Sequence, residues 1–176
     1  MPHIIATFLI LIGLNSPWTA VARADDADKP RPCSGPEYRQ FDFWAGDWNV
    51  LDSSGKQVGR NRIERILEGC ALAEHWESAR GGKGTSLNFY DASRQRWRQT
   101  WIDDQGTPLF LEGGLVDGKM VLEGDSPTRR QPGKTIRNRI TWSKLEGGRV
   151  RQFWEFSGNS GKTWETVFDG TYVRKE

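Results

Sequence analysis

The chain has 176 residues, 36% of them hydrophobic and 27% charged, with 25 Lys plus Arg against 23 Asp plus Glu. A net charge of +2 is too balanced for a nucleic-acid binder or a disordered polyelectrolyte. Twenty glycines and eight prolines beside nine Trp, eight Phe and three Tyr favour β-structure, in which turns alternate with aromatic-rich strands.

At the N-terminus an apolar run from Ile4 to Leu14 is followed by a polar stretch and then Ala22-Arg23-Ala24, a small-x-small cleavage pattern. Residues 1–24 therefore read as a signal peptide, with a periplasmic or secreted product; the alternative is an uncleaved interfacial anchor. The run is well short of the roughly 20 residues of a spanning helix, so no transmembrane span is expected. Residues 25–36, rich in Asp, Pro and Ala, read as a flexible leader, and residues 37–176 as one domain. Cys33 and Cys70 are the only cysteines. In an oxidising compartment such a pair is most simply a disulfide. Two Cys and one histidine beyond the leader are too few for a zinc site, so no metal is expected; a Cys nucleophile assisted by His75 is the remaining rival.

From Glu37 onward, turn signals recur about every ten residues. They separate about ten strands, near 46–51, 59–67, 71–78, 85–90, 96–103, 108–116, 119–123, 135–145, 149–157 and 163–173. Strands joined by short turns make a meander, and closing it removes the exposed edges. The expectation is an all-β, up-and-down antiparallel barrel. A turn at Glu68 to Ala71 would oppose Leu67 to Leu72, Arg65 to Glu74 and Ile63 to Trp76, placing a charge pair on an inner face. In the last strand Trp164, Thr166, Phe168, Gly170 and Tyr172 alternate, and their aromatic members are expected inside. The hairpin of Ser86, Asn88 and Tyr90 with Trp97, Gln99 and Trp101 has two equally apolar faces and stays open. At Gly147-Gly148 a three-residue bulged turn, pairing Trp142 with Gln152, is preferred over the two-residue alternative.

Gly46-x-Trp48 opens the first strand after an aromatic lead-in, Phe41-Asp42-Phe43-Trp44. It resembles the opening of lipocalins and their calycin relatives, where the Trp closes the barrel floor and a basic residue from the last strand packs over it. Trp48 and Arg174 match those places. Together with Gly69-Cys70-Ala71-Leu72-Ala73-Glu74, Asn88-Phe89-Tyr90-Asp91, Arg96-Trp97-Arg98-Gln99-Thr100-Trp101 and Asp169-Gly170-Thr171-Tyr172, the set resembles an uncharacterised family of exported bacterial lipocalin-like domains. That resemblance implies a fold and brings no activity or cofactor.

Other motifs read as structural. Ser157-Gly158-Asn159-Ser160-Gly161-Lys162-Thr163-Trp164 is similar to the Asp-box hairpin turn, with Asn159 in the Asp place. Gly81-Gly82-Lys83-Gly84-Thr85 lacks phosphate-loop spacing and a following helix. His75 alternates with its apolar neighbours and is expected outside, which disfavours a haem barrel. Arg60 with Arg62, Arg94 to Arg98, Arg137 with Arg139 and Arg149 with Arg151 read as solvated outer faces, or as weak contacts for anionic envelope lipid or polysaccharide. Inside, Arg65, Glu74, Gln99, Asn138 and Gln152 are the candidate polar groups, and Trp76, Trp97, Trp101, Trp142, Trp154 and Trp164 the candidate walls. Apolar walls with a few convergent polar groups describe a small-molecule site. The leading reading is a barrel that binds or carries a small, partly apolar molecule without a cofactor. Its rival is a filled barrel serving as a structural or interaction module of the envelope. A hydrolase using Glu74 and Glu155 is a lesser alternative.

Overall fold

The computed structural model describes residues 31–128 and 133–175; the expected signal peptide and residues 25–30 of the leader lie outside the described residues. Ten strands follow in order: β1 (Gly46–Leu51), β2 (Gln57–Ile66), β3 (Ala71–Ser78), β4 (Lys83–Asp91), β5 (Arg96–Asp103), β6 (Pro108–Val116), β7 (Lys119–Pro127), β8 (Thr135–Lys144), β9 (Val150–Ser157) and β10 (Glu165–Arg174). Each pairs antiparallel with its neighbour in sequence, and β1 pairs with β10, from Trp48↔Arg174 to Leu51↔Thr171, so the sheet is a closed up-and-down barrel.

Local chemistry fixes the hairpins. At three tips an aspartate accepts from the backbone two residues on: Asp52 from Ser54 at 2.9 Å, Asp91 from Ser93 at 3.1 Å and Asp103 from Gln105 at 3.0 Å. This Asx geometry supplies the turn with hydrogen bonds that the strands no longer provide. The Asp-box-like segment works similarly. Asn159 Oδ1 accepts from the Thr163 amide at 2.9 Å, Ser157 Oγ accepts from the Gly161 amide at 2.8 Å, and the Trp164 indole donates to the Gly161 carbonyl at 3.1 Å.

Two registers differ from the sequence expectation. The connection between β2 and β3 starts at Leu67, which with Glu68 and Gly69 has positive φ (52°, 55° and 88°). That earlier left-handed start closes the hairpin at Ile66↔Ala71, so Arg65 faces Leu72 and Glu74 faces Ile63. Arg65 is consequently no partner of Glu74; it lies at the barrel end, 52% exposed, paired with Asp42 at 3.0 Å. In β10 the register shifts between Thr166 and Phe168, so Val167 is a bulge. A one-residue bulge inverts the alternation on one side of it. Phe168 and Tyr172 join the inner face, whereas Trp164 lies outside with the Arg139 guanidinium 3.8 Å from its ring centroid. The β8–β9 turn pairs Trp142 with Gln152, as the bulged turn requires.

The lower half of the barrel is solid. The short 3-10 turns Pro36–Arg39 and Asp42–Trp44 carry Phe41 and Trp44 into it, both 0% exposed. Phe41 stacks on Trp44 at 4.9 Å and meets Trp97 and Trp142 edge-on at 5.6 and 5.1 Å. Such aromatic pairs add roughly 0.5–1.5 kcal/mol each beyond the area they bury. Trp48 donates its indole N–H to the Trp44 carbonyl at 2.9 Å, and the Arg174 guanidinium lies 4.0 Å from the Trp48 ring centroid while donating to the Ala45 carbonyl at 2.9 Å. The Cys33–Cys70 disulfide ties the lead-in to the β2–β3 turn. Arg39 reinforces it, donating to the carbonyls of Cys33 and Gly69.

Candidate functional site

Above the aromatic floor the interior is open, with a cavity of about 290 Å³. Its apolar walls are Trp76 of β3, Trp101 of β5, Leu109 of β6, Ile140 of β8, Trp154 of β9, and Val167 and Phe168 of β10; Glu74, Gln99, Gln152 and Tyr172 supply polar groups. Glycines on neighbouring strands, and Gly170 on the same strand as Phe168, make room for the large rings. A Cβ on Gly59 would strike Trp76, one on Gly84 would strike Trp101, and one on Gly170 would strike Phe168. Trp76 and Phe168 meet edge-to-face at 6.0 Å. The Trp154 indole donates to Asn138 Oδ1 at 3.1 Å, and Asn138 donates in turn to Ser126 Oγ at 2.9 Å, so the ring is held by hydrogen bonds from the mouth side.

A belt of hydrogen bonds runs across β9, β10, β2, β3, β4 and β5. Tyr172 donates its hydroxyl to Gln152 Oε1, and Asn61 Nδ2 donates to the Tyr172 oxygen at 3.2 Å and to Glu74 Oε1 at 2.7 Å. From the other side Gln99 Nε2 donates to Asn88 Oδ1 at 2.8 Å, Asn88 Nδ2 to Ser86 Oγ at 2.8 Å, and Ser86 Oγ to Glu74 Oε2 at 2.6 Å. Donors converge on one carboxylate from both directions. Glu74 is 4% exposed and has no salt-bridge partner among the described residues. Burial pushes its pKa up to about 7, against the lowering effect of the bonds from Ser86 and Asn61. The Tyr172 phenol is raised well above its ordinary value, first by burial and then by the charge of Glu74. Asn61 Oδ1 is buried beside this network without a hydrogen-bond partner among the described residues.

The structure sorts the sequence candidates into layers. Glu74, Trp76, Trp101, Gln99, Gln152 and Trp154 line the cavity. Trp97 and Trp142 belong to the packed floor beneath it, and Asn138 lines the mouth cleft, where it bonds the Trp154 indole. Arg65 and Trp164 are corrected to the barrel end and the exterior, as described above. Glu155 also lies outside, bonded to Arg139 at 3.4 Å, so Glu74 and Glu155 cannot share a substrate; among the described residues Glu74 is the cavity's single carboxylate. Asn61, Ser86, Asn88 and Tyr172 are not among the ligand-site residues that the sequence offers, although it places Tyr172 inside and leaves the face of Ser86 and Asn88 open. Asn61 carried a usable signal, being two positions before Ile63 on the same strand face. The ambiguous hairpin resolves with Ser86, Asn88, Trp97 and Gln99 buried, while Leu87 and Ile102 are exposed.

Outside, the arginine rows meet acids on adjoining strands. Arg96 reaches Glu112 at 2.6 Å, Arg137 reaches Glu123 at 2.6 Å, and Arg151 reaches Asp169 at 2.7 Å. Glu112 and Glu123 are themselves cross-strand neighbours, a repulsive pair that the two arginines neutralise. The β6–β7 ladder runs only from Glu112↔Glu123 to Val116↔Lys119, although both strands continue toward the barrel mouth. There a cleft of about 610 Å³, lined in part by Pro108, Pro127, Asp103 and Glu165, shares Trp101, Leu109 and Trp154 with the inner cavity. No helix among the described residues is long and apolar enough to cross a membrane, and they hold no cluster of potential metal ligands. Neither a family profile nor a curated protein matches the chain.

Proposed function

We propose that this barrel binds or carries a small, partly apolar molecule in its upper interior. The observation that carries the reading is the division of the barrel. Phe41, Trp44, Trp97 and Trp142 fill the lower half, yet Trp76, Trp101, Trp154 and Phe168 stand around open space instead of closing it. Large aromatic walls with a small convergent polar set are what ligand sites use. Glycine placement at Gly59 and Gly84 gives the rings room against the wall. The exterior arginines Arg96, Arg137 and Arg151 are paired with acids on adjoining strands, which leaves the interior as the stronger source of specificity.

The lipocalin-like kinship is part of the proposal, supported by Arg174 over Trp48 at the start of the first strand. An exported location is supported by the disulfide, which belongs to oxidising compartments. The test is tryptophan emission during titration with neutral aromatic alcohols. A saturable quench or shift, weakened by Trp154→Ala, is expected. A flat response across the panel contradicts the proposal.

A further inference from the structure

We propose that the molecule bound in this cavity is an organic cation, an amine or quaternary ammonium on an aromatic or alkyl body, with its charge against the Glu74 carboxylate. This rests on the binding reading above and names the ligand's chemistry. Eleven residues line the cavity, and the one that carries a charge is Glu74. No Lys, Arg or His is among them. The carboxylate accepts from Asn61 and Ser86, both neutral. A carboxylate has about four lone-pair sites, so two donors leave acceptor capacity on it. Gln99 spends its amide N–H on Asn88, leaving its carbonyl oxygen to accept as well.

Charge and shape then agree on the partner. A buried carboxylate without a counter-ion is costly, and a ligand that brings the opposite charge removes much of that cost. Trp76, Trp101, Trp154 and Phe168 present ring surfaces to which an ammonium group is attracted, by about 0.5–2 kcal/mol per favourable contact. The cleft at the mouth adds Asp103 and Glu165 against Lys134, so the approach is also acid-biased. Once Glu74 is ionised, an anion meets repulsion at both levels and a neutral molecule leaves the carboxylate without a counter-ion.

The pH dependence follows from the groups that face this carboxylate. Asn61 of β2 and Ser86 of β4 are not titratable, and Tyr172 of β10, raised well above its ordinary value, stays neutral. Glu74 is therefore the group that titrates, and cation affinity rises as it ionises through about pH 7.

Calorimetry with three probes of one skeleton tests this: phenethylammonium, phenethyl alcohol and phenylacetate. At about pH 8.5 the cation is expected to bind roughly tenfold tighter than the alcohol, and phenylacetate more weakly than either. At about pH 5.5 wild-type protein should lose most of the cation's advantage, with the alcohol unchanged; this comparison needs no variant. Glu74→Gln should abolish the advantage at both pH values. If the alcohol binds as tightly as the cation at both pH values, or Glu74→Gln keeps the cation's advantage, the cation assignment is overturned while the binding site stands. If none of the three binds, the binding reading falls and the cation assignment with it.

Discussion

Glu74 is held neutral or ionised by its surroundings, and stability should record which. Its folded pKa of about 7 stands above the ordinary carboxyl value of 4.5, so the folded state binds the proton more tightly than the unfolded chain does. The stabilisation from the protonated form is fully present below about pH 4.5 and is lost as pH rises through about 7. The shift amounts to about 3 kcal/mol. Unfolding free energies from urea titration of the ligand-free protein at about pH 5 and about pH 8 should differ by this order more in wild type than in Glu74→Gln. Equal pH slopes for the two proteins would show that Glu74 is not desolvated in solution. Arg65 behaves differently, because it is half exposed and paired with Asp42 at 3.0 Å. Arg65→Ala should cost at most about 1 kcal/mol in the same measurement and be additive with Glu74→Gln. A strong coupling between the two would restore the charge pair that the sequence pattern suggested. That pattern shows that residues 65 and 74 share an inner face, but it does not show the left-handed start at Leu67 that sets them two rungs apart.

Strands and turns were the most legible elements. The bounds of β1, β3, β5 and β6 are those expected from turn residues and alternation, since Gly, Asp and Ser mark hairpin tips directly. The bulge at Val167 was hidden, because Trp164 to Tyr172 alternate in sequence as if the strand were regular and only the partner strand reveals the extra residue. Glycine spacing holds information of the same kind: Gly84 has no side chain because Trp101 occupies its place. Gly84→Ala should push that indole into the cavity and lower the affinity for a neutral aromatic alcohol by about tenfold, on the order of 1.4 kcal/mol, without unfolding the barrel. Gly114→Ala, where a Cβ meets nothing within 4 Å, is the control and should bind as wild type. Equal affinity in both variants would mean that the Trp101 wall does not shape the site. The lead-in gives a separate expectation. Cys33 and Cys70 are 37 residues apart, so reducing the disulfide should lower stability by about 4 kcal/mol on the chain-entropy account. Phe41 and Trp44 remain buried contacts, so calorimetric unfolding with and without reductant should show a lower but still cooperative transition. Unchanged stability would place the lead-in's anchoring wholly in its aromatic packing.

At the scale of the whole barrel, closure and an aromatic interior could be read from the chain, but the division into a filled floor and an open chamber could not. The tryptophans look alike in sequence; Trp97 and Trp142 become floor only because Phe41 and Trp44 enter from the N-terminal lead-in and pack on them. The polar belt was half legible, since Glu74, Gln99 and Gln152 stand out on apolar faces, whereas Asn61 reaches Tyr172 across β1, a contact no local pattern contains. The open chamber is proposed to take one small molecule. This is tested most directly by calorimetric titration of the neutral probe N-phenyl-1-naphthylamine into wild type and into Ile140→Trp, whose larger side chain occupies the chamber from β8. The expected result is saturable binding of about one probe per chain in wild type and its loss in a folded Ile140→Trp. Absence of saturable binding in wild type, or equal binding in the blocked variant, would show that the chamber is not a ligand site.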